Sequence, residues 1–322
     1  MNIYIDGIQT KVAPDETILE ACRKAGADIP SMCYAAGAEH RPSCMVCMVR
    51  NEDSDQMLPS CSTYPTEGMK IDTSSEEVQQ TRKLAVELLL SDHRADCEAP
   101  CTIACPSGLD IGEMLCQYDK GDFAKAKSIL ASAFSLTEIP CDSCKGPCEK
   151  VCRRGTVDAH VQIKAIVKEI AAMEDIPAEA RPVLASRYSK ELFSSRLGIF
   201  SPAEKARLKE SVHSKSTCLH CACLAKDDCR LRDIATSLKI KTPRFGVNSL
   251  QPFKAAKHIT AQLVYEPSKC IRCGLCVYNT NDGFTFSGRG FGMQVIIPEE
   301  SYTNVTEDIA ALCPTGALSL EH

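Results

Sequence analysis

Tryptophan is absent from this 322-residue sequence, and aromatic residues make up only 5% of it. With so few large rings, much of the interior must be filled by something other than bulky side chains. No stretch approaches the roughly 18 consecutive apolar residues that a membrane span needs, so no direct membrane span is expected. The opening residues Met1-Asn2-Ile3-Tyr4-Ile5-Asp6-Gly7 lack the basic region and apolar run of a secretory signal, and a cytoplasmic chain is expected. There is no excess of basic residues: the formal net charge is −5, which gives no reason to expect a nucleic-acid partner. No Gly-x-Gly-x-x-Gly occurs, and the glycines at 288, 290 and 292 lack the strand–turn–helix context of a dinucleotide site. What the chain has instead is cysteine, 21 of them, an odd number set in short x2 and x3 spacings. A disulfide framework needs neither feature, and inside a cell such a set favours metal.

The length suggests two to four modules. Residues 2–12 alternate around Asp6-Gly7, a hairpin signal. Thr17 then caps a short helix bearing Ile18, Leu19, Ala21, Cys22 and Ala25, ended by Gly26. Next comes Cys33-x10-Cys44-x2-Cys47-x13-Cys61, with strand-like runs after Cys44 and before Cys61. Hairpin, helix, Cys-bearing loop and further strands suggest a small β-grasp domain over residues 1–74. The order of the four cysteines is that of the plant-type two-iron pattern with a longer first gap. This segment resembles the N-terminal two-iron domain of the large iron–sulfur subunit of respiratory NADH dehydrogenase (complex I), which also opens many [FeFe] hydrogenases. The resemblance implies that Cys33, Cys44, Cys47 and Cys61 hold a [2Fe–2S] cluster. Cys22 reads as plain core.

The chain is organised around the run from Asp92 to Cys152. A helix over 75–92, capped by Ser74 or Ser75 and burying Val78, Leu84, Ala85, Leu88 and Leu89, delivers His93. Then follow Cys97-x3-Cys101-x3-Cys105-Pro106 and Cys141-x2-Cys144-x3-Cys148-x3-Cys152. In the complex I family a His three residues before a Cys ligates a four-iron cluster, and the motif continues with x2 and x5 gaps. Here the gaps are x3 and x3. The continuation, roughly 92 to 170, instead resembles the N-terminal domain of the glutamate synthase small subunit, shared with dihydropyrimidine dehydrogenase. That resemblance implies a helical domain, here 75–175, with two [4Fe–4S] clusters.

His93, Cys97, Cys101 and Cys105 sit four apart, and on one helix would make a stripe about 18 Å long, too long to wrap one cluster. Pro100 also interrupts such a helix. The ligands must therefore be shared between two sites. Carried over from the family, His93, Cys97, Cys101 and Cys152 bind one cluster, and Cys105, Cys144 and Cys148 bind the second. The family's fourth ligand there can be a Glu or Gln farther on. Here Val167 stands near that place, Gln162 and Glu169 are weaker offers, and Cys141 is the better candidate. Cys116 fits neither site and reads as helix packing.

Residues 176–215 read as a linker with short helices at 187–197 and 202–212. A Cys-rich module over 216–250 follows, holding Cys218-x2-Cys221-x-Cys223-x5-Cys229. Four cysteines within twelve residues indicate one metal site, either [4Fe–4S] or zinc, with His220 a bystander. In the last segment, 251–322, a strand at 262–266 leads into Cys270-x2-Cys273-x2-Cys276, and Cys313-Pro314 lies far downstream. This is the bacterial ferredoxin pattern reduced to one cluster, since Thr280 stands where a further Cys would serve a second. It supports a ferredoxin-like domain with one [4Fe–4S] on Cys270, Cys273, Cys276 and Cys313. The segment also resembles the matching part of the large complex I iron–sulfur subunit and of [FeFe] hydrogenases.

The expected fold class is thus α+β and multi-domain: β-grasp [2Fe–2S] domain, helical two-cluster domain, Cys-rich loop module and ferredoxin-like C-terminal domain. The expected cofactors are one [2Fe–2S], three or four [4Fe–4S], and zinc if 218–229 is a zinc site. No hydrogen-activating, flavin, nicotinamide or molybdopterin domain occurs within these residues. The expectation is therefore an electron-transfer subunit with no catalytic residues of its own. Its implied partners are a flavoprotein subunit using NAD(P)H or ferredoxin and a catalytic oxidoreductase subunit. The alternatives are a self-contained reductase with an unusual cluster as active centre and a structural metal scaffold.

Overall fold

The computed structural model describes residues 1–94, 96–177, 200–210, 214–223, 229–240, 244–246, 253, 256–281, 283–302 and 305–320. The helix expected over 187–197 lies outside the described residues. The chain divides into two compact units. The first comprises Met1–His93, Ala225–Gln251 and Ala255–His322, the second Arg94–Leu224 and Pro252–Lys254.

The first unit opens with an antiparallel hairpin, β1 (Asn2–Ile5) and β2 (Ile8–Lys11), in which Ile5 pairs with Ile8. Asp6 and Gly7 both take positive φ, 49° and 80°, the two-residue turn whose twist matches the strands. Helix α1 (Ile18–Lys24) starts at a capping box: the Thr17 hydroxyl accepts from the Glu20 N–H, and the Glu20 carboxylate accepts from the Thr17 N–H. Strands β3 (Met48–Asn51), β4 (Gln56–Pro59) and β5 (Lys70–Asp72) complete a five-stranded sheet of order β2-β1-β5-β3-β4. The β1–β5 pair is its parallel element. Ile3, Ile5, Ile18, Leu19, Val49 and Ile71 form the core between sheet and helix, and Cys22 is buried among them.

Helix α2 (Glu76–Asp92) begins at Ser75, whose side chain accepts from the Val78 N–H. Its buried face differs from the expected one. Val78, Arg82, Ala85, Val86 and Leu90 point inward, while Leu84 and Leu88 are exposed. The phase is set by Arg82, which lies fully buried with its Nε donating to the Met48 carbonyl at 2.9 Å. A face chosen by hydrophobicity alone passes over that position.

The second unit is helical: α3 (Pro100–Ala104), α4 (Ile111–Lys120), α5 (Phe123–Ala133), α6 (Pro147–Lys150), α7 (Ile163–Ala171) and α8 (Pro202–Glu210). Gly121, left-handed at φ 79°, ends α4, and the Asp122 side chain starts α5 by accepting from the Lys125 N–H. Ile111, Met114, Leu115, Leu130, Val167 and Ile170 make the core, together with Cys101 and Cys148. A short parallel bridge joins Asp96 to Ala222.

The chain re-enters the first unit with α9 (Arg230–Ser237). Strands β6 (Lys257–His258) and β7 (Leu263–Tyr265), helix α10 (Leu275–Tyr278), strands β8 (Thr285–Ser287) and β9 (Gln294–Ile296), helix α11 (Ile309–Leu312) and strand β10 (Leu318–Leu320) follow. Their sheets have orders β10-β7-β6 and β8-β9. The observed class is a mixed α+β protein. Among the described residues no helix is long and apolar enough to cross a membrane.

Candidate metal centres

Four cysteine thiols converge beside the five-stranded sheet. Cys33 and Cys44 lie on the loop between α1 and β3, Cys47 immediately precedes β3, and Cys61 follows β4; all four are buried. They share protons. The Cys33 thiol is held far below its usual range because Cys44 and Cys61 hydrogen-bond to it. Cys44 and Cys61 are pushed up in turn, and hydrogen bonding from Cys61 brings Cys47 to about 6. Four buried thiols this close cannot all ionise against one another, so a cationic iron centre is what the set fits. The loop is shaped for sulfur. The N–H groups of Ser43 and Val46 donate to Cys33 Sγ and Cys44 Sγ, each at 3.5 Å, and Met45 sits at φ 54°. Buried Arg82 lies near enough for the Cys47 charge to act on it.

A second set in the same unit comprises Cys270, Cys273, Cys276 and Cys313. The Arg272 N–H donates to Cys270 Sγ at 3.3 Å, and the Leu318 N–H to Cys313 Sγ at 3.4 Å. Burial pushes Cys270 up to about 11, and burial followed by neighbouring thiolates pushes Cys273 and Cys276 higher. Cys33 is among the charges that raise Cys273, so the two sets are neighbours. The contact is backed by reciprocal hydrogen bonds between Glu39 and Asn279, at 2.8 and 2.7 Å, and by the Arg41 guanidinium 4.8 Å over the Tyr278 ring.

His93 is buried at the end of α2. Its Nδ1 lies 3.0 Å from the Lys269 carbonyl, which accepts only, so Nδ1 is the donor. That is the arrangement that orients a ligating histidine. Lys269 is the residue before Cys270, so the same turn also carries the first thiol of the ferredoxin-type set.

The second unit holds two thiol groups. In one, Cys141 feels the charges of Cys105 and Cys144, and Cys148 those of Cys105 and Cys141 after the larger effect of burial. Lys164 Nζ donates to the Cys144 carbonyl at 2.7 Å and ties this loop to α7. Of the other residues considered as fourth ligand, Glu169 and Val167 are engaged elsewhere, and Gln162 is exposed at the start of α7. Glu169 accepts from the Tyr118 hydroxyl at 2.9 Å, and Val167 is core. In the other group, burial first, then the charges of Cys218, Cys221 and Cys152, push Cys101 well up.

This second grouping changes the expected one. Cys101 and Cys152 do stand together, but Cys97 is absent from the wall of the cavity they line, and Cys218 and Cys221 are present. The reason is local. Ala99 is extended and Pro100 starts α3, so Cys97 lies at a bend before the helix and Cys101 on it. The Cys223 N–H donates to the Asp96 carbonyl at 2.7 Å, which brings its backbone beside the segment that carries Cys97. The Asp96 carboxylate in turn pairs with buried Arg153, next to Cys152, at 2.7 Å. Cys229 belongs to the first unit, where it precedes α9. Among the described residues no three His, Cys, Asp or Glu side chains are placed to hold a single metal ion. Cys116 lies half-buried on α4.

Comparison with known proteins agrees with this chemistry. Residues 1–76 match the 2Fe-2S iron-sulfur cluster binding domain, and residues 73–176 match dihydropyrimidine dehydrogenase domain II, 4Fe-4S cluster. The chain is 32% identical over 165 residues to the NADP-reducing hydrogenase subunit HndD of Solidesulfovibrio fructosivorans, covering 47% of this chain and 27% of that one. It is 32% identical over 127 residues to the mitochondrial NADH dehydrogenase [ubiquinone] iron-sulfur protein 1 of Solanum tuberosum, covering 39% and 17%. It is 31% identical over 131 residues to the NADH-ubiquinone oxidoreductase 75 kDa subunit of Reclinomonas americana, covering 39% and 18%. The chain thus spans about a quarter or less of the length of these relatives. A chain of the H2-reduced NAD+-reducing [NiFe]-hydrogenase shares the fold with a TM-score of 0.53 at 15% identity, over 99% of this chain and 87% of that one. The comparisons agree with the sequence resemblance: residues 1–76 match a 2Fe-2S cluster-binding domain, residues 73–176 match a 4Fe-4S domain of dihydropyrimidine dehydrogenase, and the chain is similar to the 75 kDa subunit of NADH-ubiquinone oxidoreductase and to hydrogenase subunit HndD.

Proposed function

We propose that this protein is an iron–sulfur electron-transfer subunit. It would relay electrons between a flavoprotein using NAD(P)H or ferredoxin and a catalytic subunit of an oxidoreductase complex. The observation that carries this reading is the adjacency of two different thiol sets in the first unit, whose segments are joined by the reciprocal Glu39–Asn279 hydrogen bonds at 2.8 and 2.7 Å. A lone structural site needs no such neighbour; a relay does. Cys33, Cys44, Cys47 and Cys61 in a β-grasp domain would hold [2Fe–2S]. Cys270, Cys273, Cys276 and Cys313 in a ferredoxin-like domain, and Cys105, Cys141, Cys144 and Cys148 in the helical domain, would each hold [4Fe–4S]. Bound there, such clusters supply one-electron carriers. The protein's own part is to bury the thiols, aim N–H donors at sulfur and keep water out, which sets potential.

The test is anaerobic iron and sulfide analysis of the chain with EPR of the reduced protein. One two-iron and three four-iron centres give about 14 iron atoms per chain, and a fourth four-iron centre about 18. Such a count, with one two-iron signal and several interacting four-iron signals insensitive to added substrates, supports the relay. Substrate-sensitive spectra would favour a reductase. Clusters that resist reduction at physiological potentials would leave only a scaffold.

A further inference from the structure

The second unit holds a small cavity of about 20 Å³, partly open to solvent. Cys101, Cys152, Cys218 and Cys221 reach it, and Ala99, Pro100, Leu115, Val161 and Ile163 supply apolar wall. Four thiols converging on one cavity, with Arg153 and Arg154 also in its wall, fit a cationic centre that would hold them as thiolates.

The loop that brings Cys218 and Cys221 has the shape of a cluster-binding loop. In the ferredoxin-type set, the Arg272 N–H donates to Cys270 Sγ at 3.3 Å and Arg272 has φ 57°. In Cys218-x2-Cys221, the His220 N–H donates to Cys218 Sγ at 3.3 Å and His220 has φ 48°. A non-glycine residue in the left-handed region is uncommon and costs energy. Both loops hold it at the same place. Asp119 of α4 fixes the strained turn. Its carboxylate accepts from the Ser216 N–H and hydroxyl at 2.8 and 2.6 Å, and lies 2.9 Å from His220 Nε2. The Ser216 hydroxyl oxygen accepts in turn from the Cys218 N–H at 3.1 Å. His220 is thus a positioning residue of the loop.

We propose that Cys101, Cys152, Cys218 and Cys221 together ligate one [4Fe–4S] cluster, completed by a Cys-x2-Cys pair from far downstream of the helical core. The compact run at 218–229 is then not one site. Its first two cysteines close the helical unit, and its last two carry a different sequence signal. What remains in the sequence is His93-x3-Cys97 and Cys223-x5-Cys229. These have the outer gaps of the complex I spacing, His-x3-Cys-x2-Cys-x5-Cys, with residues 98–222 standing in place of its x2 gap.

The proposal rests on the iron–sulfur reading, which total iron in the unsubstituted chain tests separately. For the ligand set, the full-length chain is purified anaerobically with Cys101→Ser, Cys218→Ser, Cys221→Ser, Cys223→Ser and Cys116→Ser. A serine oxygen can still hold iron, so each of the first three is expected to shift or remove one and the same four-iron signal in EPR and Mössbauer spectra. Removal would lower the iron content by about four atoms. Cys223→Ser and Cys116→Ser are expected to leave that signal in place. If Cys101→Ser and Cys218→Ser act on different signals, the assignment falls. Where a variant fails to fold, the unsubstituted protein serves: iron is removed in steps and newly reactive thiols are alkylated and identified by mass spectrometry. Cys101, Cys152, Cys218 and Cys221 are expected to become reactive in one step. Cys218 and Cys221 appearing with Cys223 and Cys229 instead would overturn it.

Discussion

Two buried side chains next to the thiols carry charge arguments that can be tested one residue at a time. The His93 Nδ1 proton is fixed on the Lys269 carbonyl. A neutral ligand in place of a thiolate removes negative charge from around iron and favours the reduced state, so His93→Cys is expected to lower the midpoint potential of one four-iron centre. A redox titration followed by EPR decides it, and an unchanged or raised potential speaks against ligation. Arg82 places a cation beside Cys47, and burial lowers its pKa, the Cys47 charge opposing. That charge stabilises the more negative, reduced form of whatever Cys47 holds. Arg82→Gln is expected to lower the potential of the two-iron centre and leave the four-iron potentials in place. A uniform shift of all centres would mean general loosening instead. The thiol sets at 33–61 and 270–313 are readable from spacing, because their ligands sit in short loops of one unit. Arg82 is not: nothing in the sequence marks that the arginine of a charged helix will be buried.

At the scale of elements, strong local chemistry is legible and phase is not. Asp6-Gly7 marks the hairpin, and Thr17 and Ser75 mark the helix starts, since each satisfies backbone groups within a few residues. The face of α2 escapes the hydrophobic pattern because Leu84 and Leu88 are exposed while Arg82 and Glu87 are buried, the latter paired with Arg244 at 3.0 Å. The capping box of α1 gives a pH signature. The Thr17 N–H, then its hydroxyl, hold the Glu20 carboxyl below the ordinary value of 4.5. A depressed folded pKa means stability present above the unfolded pKa and lost as pH falls through the folded one. Glu20→Gln is therefore expected to cost about 0.5–1 kcal/mol at pH 6, Glu20 being partly exposed. The difference from the unsubstituted chain should shrink below pH 4.5. Urea titrations at both pH values measure it, and taking the difference between variants cancels any acid loss of iron common to both. A gap that widens with acid would refute the box as its source.

At the scale of the molecule, the two units differ in what holds them together. The five-stranded sheet has a continuous apolar core of Ile3, Ile5, Ile18, Leu19, Val49 and Ile71. The helical unit has short helices, and two groups of four thiols stand inside or against its core. Its groupings are only half legible in the sequence, because the partners of Cys101 depend on where a distant loop returns, and spacing records nearness along the chain rather than across it. If those thiols hold iron, much of the unit's folding free energy is metal binding, as in other small metal-dependent domains. Stripping iron with a chelator under reducing conditions is then expected to release hydrogen-exchange protection first in α3, α6 and the Cys218 loop. Protection in β1, β2 and α1 should outlast it, because their packing does not pass through the thiols. The cavity lined by Cys101, Cys152, Cys218 and Cys221 lies among α3, α4 and the segment before α7. Losing its contents removes what joins those elements, whereas Cys33, Cys44, Cys47 and Cys61 sit at the margin of a sheet already closed by its own ladder. Exchange read by mass spectrometry along a chelation time course separates the cases. If the sheet opens before or together with α3, iron holds the two units alike and the division by core is wrong.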